Sequence, residues 1–567
     1  MPTPWSPSRS PVSSTSVLIV GGGAVGLVLA LELGRRGQDC IVVDEGDGTV
    51  EHPRTGGISV RTMEYCRWWG IADQVRGNAF PADYQLDNVF CTSIGGFELA
   101  RRPGPSMANT PIPLESPERK VRCPQFWFDP MLAAAARRYP HVQVHHHTRY
   151  TGHRETADGV TATVQDVRTG RTHTVHADYL VGCDGAASTV REQLGIGMSG
   201  NPLLNYSVNV LFRCENLLER VGAAEAERFI LVAPTGTWGN VTVVDGRSLW
   251  RLTVIGSEER LDLATFDAGA QVRRAIGGHA EIDIGVLSVS PWRRTQLVAD
   301  SYGRGRVYLC GDAVHTMSPT GGFGVNTGIG DAVDLAWKLD ATLRGWAGPT
   351  LLHTYELERR PIGLRNATAA TANFKGWQAP ADLSRILDEG PDAERARAAA
   401  GRQLLEATHA EWESLGVILG YRYENSPLCV PDGTPPVPDD YSIYVPTARP
   451  GSRAPHVSLP DGRSTLDLFG DSFVLLVDER SAQHDTTAIT HLRNAADTTS
   501  LPLHVELVPA TVAAVYEQPL TLVRPDGHVA WRGTTPPTTL VDTVRGAPTT
   551  LPTSRPDLAR TADRRPD

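Results

Sequence analysis

Apolar positions follow two rhythms along this chain. From 17 to 34 the sequence VLIVGGGAVGLVLALELG is apolar almost throughout. Three consecutive glycines and Glu32 make it a poor membrane span. It reads instead as a buried strand over 17–20, a glycine turn and a helix over 25–36, with a second strand at 40–44. That βαβ opening predicts a parallel sheet. Helices are expected at 62–69 and 125–138, and strands at 142–144, 160–164, 173–175 and 179–183. Across 204–255 short alternating segments take over, at 206–212, 229–232, 241–244 and 249–254, and predict an antiparallel sheet. The βα rhythm returns at 307–309 and 327–343, followed by a long helical pattern over 354–420. Beyond a Pro-rich stretch at 427–450, further strands are expected at 466–468, 473–477, 505–507 and 521–523.

These patterns give an α/β fold class, α+β overall. Residues 16–200 and 290–380 are expected to form one discontinuous dinucleotide-binding domain of the Rossmann type. Residues 201–289, with part of 84–116, form an inserted antiparallel sheet. Residues 381–450 make a helical region and linker, and 451–550 a small separate domain. The polar ends, 1–15 and 551–567, are expected to be disordered.

Composition narrows the function classes. Of the 567 residues, 41% are hydrophobic and 21% charged, which excludes a disordered or fibrous protein. The formal net charge of −10 argues against nucleic-acid binding. Only three of the 54 basic residues are lysines, a bias that fits a GC-rich genome. Eight cysteines without a CxxC pair indicate reduced thiols in a soluble, cytoplasmic protein. No metal site is expected: a strand would send alternate members of the run His145–His146–His147 to opposite faces.

Three motifs carry chemistry. Gly21-x-Gly23-x-x-Gly26 follows a strand and opens a helix at Ala24 and Val25, and Asp44 ends the next strand about 20 residues on. Glycines at these positions let backbone approach a pyrophosphate, and the carboxylate suits a ribose diol. This motif alone leaves FAD and NAD(P) both open. The second motif is Gly311-Asp312, then His315 and Met317-Ser-Pro319-Thr-Gly-Gly-Phe-Gly324-Val325-Asn326 before a helix. Such a loop presses backbone against a flat ligand, and the helix N-terminus would stabilise negative charge on a reduced flavin. The third is Tyr179-Leu-Val-Gly-Cys-Asp184-Gly-Ala-Ala-Ser-Thr-Val-Arg191.

In this order the three motifs resemble the single-component FAD-dependent aromatic hydroxylases, the class A flavoprotein monooxygenases, over about 16–380. The segments Pro450-Gly-Ser-Arg-Ala-Pro-His456 and Leu522 to Arg532 resemble the thioredoxin-like C-terminal domain of phenol and polyketide hydroxylases. The stretch from Trp412 to Asp432 is similar to the 2,4-dichlorophenol 6-monooxygenase branch.

The resemblance implies non-covalent FAD, held by Gly21, Gly23 and Gly26 at the pyrophosphate and by Asp44 at the ribose. Arg54 would meet the pyrophosphate, Gln125 the flavin side chain, Asp312 the ribityl hydroxyls, and Gly324 with the backbone of Val325 and Asn326 the flavin ring. Pro319 would lie between flavin and substrate, and Asp184 belongs to a motif that serves both FAD and NAD(P)H. Glu45 stands where the family has Arg, which leaves NADPH against NADH open. Gly56 stands where yeast-type phenol hydroxylases have an acid. The C-terminal domain has no cysteine pair and is expected to be non-redox.

Tyr206, Asn209 and Arg213 lie on the strand expected to roof the substrate cavity. Tyr206 and Arg213 are candidate catalytic residues beside Pro319. Asn209, Trp238, Trp250, Trp292 and Met317 are candidate substrate contacts. Ordinary sheet and core packing is the competing reading for each, and His315 is expected to be structural.

The implied activity is NAD(P)H- and O2-dependent hydroxylation of a phenolic or polyketide-type ring through a flavin C4a-hydroperoxide, in secondary-metabolite tailoring by a homo-oligomer. Epoxidation or Baeyer–Villiger insertion is the alternative outcome. A non-catalytic FAD- or metabolite-binding protein is the alternative class.

Overall fold

A computed structural model of the chain describes residues 12–52, 56–481 and 486–547. The first sheet has eight strands, of which five are parallel in the order 307–309, 172–182, 12–20, 40–43, 142–145, with 303–304, 160–166 and 148–155 added antiparallel. Val17–Val20 and Cys40–Val43 are buried throughout, as strands covered on both faces must be. The helix Ala24–Arg35 packs between the helices Gln125–Ala136 and Phe323–Leu343. Together they bring the glycine turn, the start of helix 125–136 and the start of helix 323–343 to one end of the sheet.

Two expectations change here. The first strand runs Val12–Val20, and 12–15 pair with 174–177, so part of the expected leader is strand. Backbone pairing recruits polar residues that an apolar pattern passes over. For the same reason 173–175 and 179–183 are one strand, Thr172–Gly182. Residues 1–11 and the expected tail lie outside the described residues.

The second sheet has eight strands in the order 315–316, 285–299, 198–213, 249–255, 236–243, 228–233, 88–91, 98–102. All neighbours are antiparallel except 228–233 with 88–91. Gly285–Ala299 was not expected, because Ser-Val-Ser-Pro-Trp-Arg-Arg-Thr-Gln offers no apolar run. It puts 290–299 in this sheet and not in the dinucleotide-binding domain. Pro291 is tolerated because the strand lies next to the edge.

A third sheet of four strands, 503–508, 473–478, 520–523 and 529–533, lies near the C-terminus. Its central strand pairs parallel with 503–508 and antiparallel with 520–523. The strand expected at 466–468 is instead a short 3-10 helix, Thr465–Leu468. The Ser464 hydroxyl accepts from Leu466 N and Asp467 accepts from Ser464 N, a capping box that ends extended backbone. The helical pattern over 354–420 divides into Thr354–Gly376, Pro391–Trp412 and Leu415–Leu419, with Pro391 in the first turn of the second. Among the described residues no helix is long and apolar enough to cross a membrane.

Buried charge joins the C-terminal sheet to the first domain. Arg524 donates to both Glu358 oxygens (2.5 and 2.9 Å), to Asp334 at 3.2 Å and to Asp526 at 2.7 Å. Lys338 meets Asp334 and Glu358 at 2.7 and 2.5 Å. All five side chains are at most 2% exposed. Glu64 is similarly buried and is shared by Arg61 and Arg453.

Candidate active site

Each glycine of the first motif has a separate physical reason. Gly21 has φ +107°, and a side chain there would collide with the Cys183 carbonyl. A Cβ on Gly26 would overlap the Gly21 carbonyl, so that glycine lets helix and strand close together. A Cβ on Gly23 would meet nothing within 4 Å: it faces open space. The next residues, Ala24 and the half-buried Val25, begin the helix, and Val25 fills the gap below Gly311 and Gly328. The Asp44 carboxylate stands over the loop, accepting from Gly22 N at 2.6 Å and Gly46 N at 2.8 Å. Glu45 points away and pairs with Arg149 at 2.9 Å on the surface. Asp184 caps the next helical turn, accepting from the Ser188 hydroxyl at 2.5 Å and from Val190 N at 3.1 Å. Gln125 is the first residue of its helix, half-buried. Arg54 lies outside the described residues.

The second motif forms a braced loop. Gly311–Ala313 is a 3-10 turn with Gly311 at φ +67°. Gly311 N donates to Asp331 at 3.4 Å, and the ring of fully buried His315 meets the same oxygen at 2.7 Å. Arg359 bonds the other oxygen at 2.7 Å. Burial alone would raise the Asp331 carboxyl, but Arg359 and His315 outweigh it and hold it below the usual carboxylate range. His315 is thus a brace for the turn that carries Asp312. Further on, Pro319 is exposed and its carbonyl accepts from Gly322 N at 3.0 Å. The helix Phe323–Leu343 starts at Gly322 in the left-handed region, with no side-chain cap. Its first amides therefore face outward without intrahelical partners. Asn326 uses its side chain internally: Oδ1 accepts from Ser59 N (3.0 Å) and the Thr62 hydroxyl (2.7 Å), and Nδ2 donates to Gly322 O (2.8 Å). Gly324, Val325 and Met317 are half-buried beside it.

The second sheet faces this loop with its polar side. Strand pairing puts Asn205, Ser207, Asn209 and Leu211 on one face with Arg294, Trp292, Ser290 and Ser288. Arg294 bonds Asn205 at 3.0 Å and Ser318 at 2.6 Å, and His52 meets Ser288 at 2.8 Å, so this face looks toward the first domain. Burial pushes the Arg294 guanidinium down to about 9. Asn209 and Trp292 are half-buried on this face, where substrate contact was expected.

Four expected residues are not brought there. Tyr206 alternates onto the other face with Val208 and Val210. Trp250, 1% exposed, packs in the core with Phe212, Leu252 and Val272. Trp238 lies under Arg274 of the helix Ala268–Ala275, whose guanidinium is 3.9 Å from the ring centroid. Arg213 is exposed at the far end of its strand, donating to Ser248 at 3.1 Å. Eight residues separate it from Asn205, roughly 26 Å of extended chain. Arg251 and Arg294, which sequence reasoning passed over, are on the inner face instead. The signal was the alternation Trp250-Arg-Leu-Thr-Val254, with its polar members turned inward.

Residues 14–370 match the family described as FAD binding domain, and 447–548 match the C-terminal domain of aromatic-ring hydroxylases. The chain belongs to the FAD-dependent aromatic-ring hydroxylases. The hydroxylase is 30% identical to 2,4-dichlorophenol 6-monooxygenase of Delftia acidovorans, covering 92% of this chain and 96% of that one. It is 33% identical to tetracenomycin B2 monooxygenase-dioxygenase of Streptomyces olivaceus, covering 92% and 95%. A solved structure of RebC with bound 7-carboxy-K252c is 41% identical with a TM-score of 0.87, covering 94% of this chain and all of that one.

The hydroxylase's residues fit FAD: a Gly23 cradle that a Cβ would fill, an Asp44 carboxylate at its edge, and an uncapped helix start at 323. Asp312→Ala should weaken FAD binding by about 1.5–3 kcal/mol, the worth of a charge-assisted hydrogen bond. Titration of apoprotein with FAD, followed by flavin fluorescence, measures this. An unchanged affinity would remove Asp312 from the site.

Proposed function

We propose that the hydroxylase uses NADPH or NADH and O2 to hydroxylate a phenolic or polyketide-type aromatic ring during secondary-metabolite tailoring, as a homo-oligomer. The observation that carries this reading is the polar inner sheet face set against the braced 311–326 loop. The names of the relatives support it: they act on chlorophenol, tetracenomycin and, in other members, aklavinone.

Gly21, Gly23 and Gly26 would hold the pyrophosphate, Asp44 the ribose, Gln125 and Asp312 the ribityl chain, and the amides of Gly324 to Asn326 the ring. When bound, FAD supplies hydride acceptance and oxygen activation. The chain supplies the rest. The outward amides at the start of helix 323–343 favour negative charge at the ring edge. Pro319, tied to Gly322, would fix the loop against the substrate. Asn209 and Trp292 on the inner face, with Met317 below, would orient the aromatic ring and keep water from it. Asp184 would act indirectly, by holding the turn beside Gly21. The four-stranded sheet supports reading 451–550 as a thioredoxin-like domain, and it contains no cysteine with which to exchange disulfides.

The test is NAD(P)H oxidation by the FAD-loaded protein across a panel of phenols and polycyclic phenols. At least one should accelerate oxidation about tenfold or more. Equal slow rates with every compound would contradict the reading.

A further inference from the structure

A cavity of about 410 Å³ opens at the edge of the first sheet, between the hairpin 303–308 and the segment 342–356. It lies at the start of the strand 307–309, whereas Gly311 and Asp312 follow the other end of that strand. None of the residues assigned above to FAD or to the substrate lines it. Its volume falls within the range of small-molecule sites, about 300–1,000 Å³.

Tyrosines form one wall. The ring centroids of Tyr179 and Tyr308 are 6.3 Å apart, those of Tyr308 and Tyr355 6.3 Å, and those of Tyr355 and Tyr302 5.6 Å. Tyr355 donates its hydroxyl to the Leu309 carbonyl at 2.8 Å. Among the described residues the hydroxyls of Tyr179 and Tyr308 meet no protein acceptor. Burial pushes both phenols up, so both stay neutral donors.

The cations beside this wall lack acids. Arg304 is exposed in the hairpin and is paired with no carboxylate among the described residues. The half-buried Arg306 donates to the Asp178 and Ala157 carbonyls at 3.4 and 3.1 Å, and its guanidinium lies 5.4 Å from the Tyr179 ring centroid. His353 stands exposed at the rim. Glu356 is the one acid in the lining, and it already accepts from the Ser301 hydroxyl at 2.6 Å and from Tyr302 N at 3.0 Å. Glu155, nearby, accepts from Arg306 N at 3.2 Å. Aromatic faces beside guanidinium groups without carboxylates suit a flat ring that carries negative charge.

We propose that this cavity is a second ligand site of the hydroxylase, separate from the flavin, and that it takes an aromatic molecule bearing a carboxylate or a phosphate. An aromatic acid and a nucleotide share this chemistry, and the test separates them.

The probes are 1-hydroxy-2-naphthoate and adenosine monophosphate, each beside its neutral counterpart, the naphthamide and adenosine. Equilibrium dialysis against the FAD-loaded protein counts all bound probe, and perturbation of the flavin absorption spectrum reports the flavin site alone. At least one anion should fill a site that leaves the flavin spectrum unchanged, and its neutral counterpart should bind there at least about tenfold more weakly. Arg304→Gln, Arg306→Gln and Leu352→Trp, the last filling the cavity, should each weaken that binding about tenfold or more, with FAD content and the spectral titrations unchanged. Arg304 is exposed, so its variant keeps the test decisive if Arg306→Gln does not fold. Binding of the naphthoate alone assigns the site to aromatic acids, and binding of the nucleotide alone assigns it to nucleotides. The inference is overturned if neither anion binds apart from the flavin site, or if the neutral counterpart binds equally well. It is also overturned if the binding survives Leu352→Trp or both arginine substitutions.

Discussion

Gly26→Val should yield a folded, colourless protein that takes up no FAD. A side chain at 26 overlaps the Gly21 carbonyl, so the first strand and the helix Ala24–Arg35 must separate where the pyrophosphate would rest. The expected loss of FAD affinity is at least about 100-fold, or about 2.7 kcal/mol. Flavin released on heating, compared with wild type, measures it, and far-UV circular dichroism shows that the fold is kept. Gly23→Ala is the informative companion. Its Cβ meets no protein atom within 4 Å, so apoprotein stability should be unchanged while FAD affinity falls. Normal yellow protein from Gly26→Val would show that the cofactor lies elsewhere.

Arg524→Ala should destabilise the chain by about 3–5 kcal/mol, because it leaves Glu358, Asp334 and Asp526 buried around one remaining cation, Lys338. A lower midpoint in urea is the readout, and Arg524→Lys should restore part of it. The same cluster sets an acid limit. Burial alone would raise the Glu358 carboxyl, but Arg524 and Lys338 outweigh it and bring it down to about 2. A depressed acid contributes its stability above the ordinary value of 4.5 and loses it as pH falls from there toward 2. In Arg524→Ala that acid limb should flatten. An unchanged urea midpoint would mean that the C-terminal sheet is docked by other contacts.

The nucleotide-binding half was legible because its constraints are local. Gly26 and Asp44 are fixed by contacts within one βαβ unit, to the Gly21 carbonyl and to Gly22 N, and spacing reports them directly. The 311–326 loop was legible from its glycines, but its braces from Ser59, Thr62, Arg294 and Arg359 are distant in sequence. The sheet above it was legible as a sheet, but not in its facing. Tyr206, Asn209 and Arg213 were drawn from one strand without separating its two faces, and Trp238, Trp250 and Trp292 were chosen as aromatics. The polar side of the sheet faces the first domain and the apolar side lies under the helix Ala268–Ala275, so Asn209 and Trp292 face the loop and Tyr206 and Trp250 do not. The strand Gly285–Ala299 escaped notice because its inward residues are Ser288, Ser290, Trp292 and Arg294, a polar series with no apolar period. The buried cluster was beyond sequence reasoning, since Arg524 meets Glu358 across 166 positions and Asp334 across 190.

The central claim is that this chain places one atom of dioxygen on an aromatic ring. The direct measurement is turnover of the FAD-loaded protein with NAD(P)H under heavy-isotope dioxygen, using the phenol that most strongly stimulates NAD(P)H oxidation, with the product weighed by mass spectrometry. The account predicts a ring-hydroxylated product carrying one heavy oxygen atom, with its carbon skeleton unchanged. NAD(P)H consumption that yields only hydrogen peroxide with every phenol, or a product whose new oxygen comes from water, would contradict it.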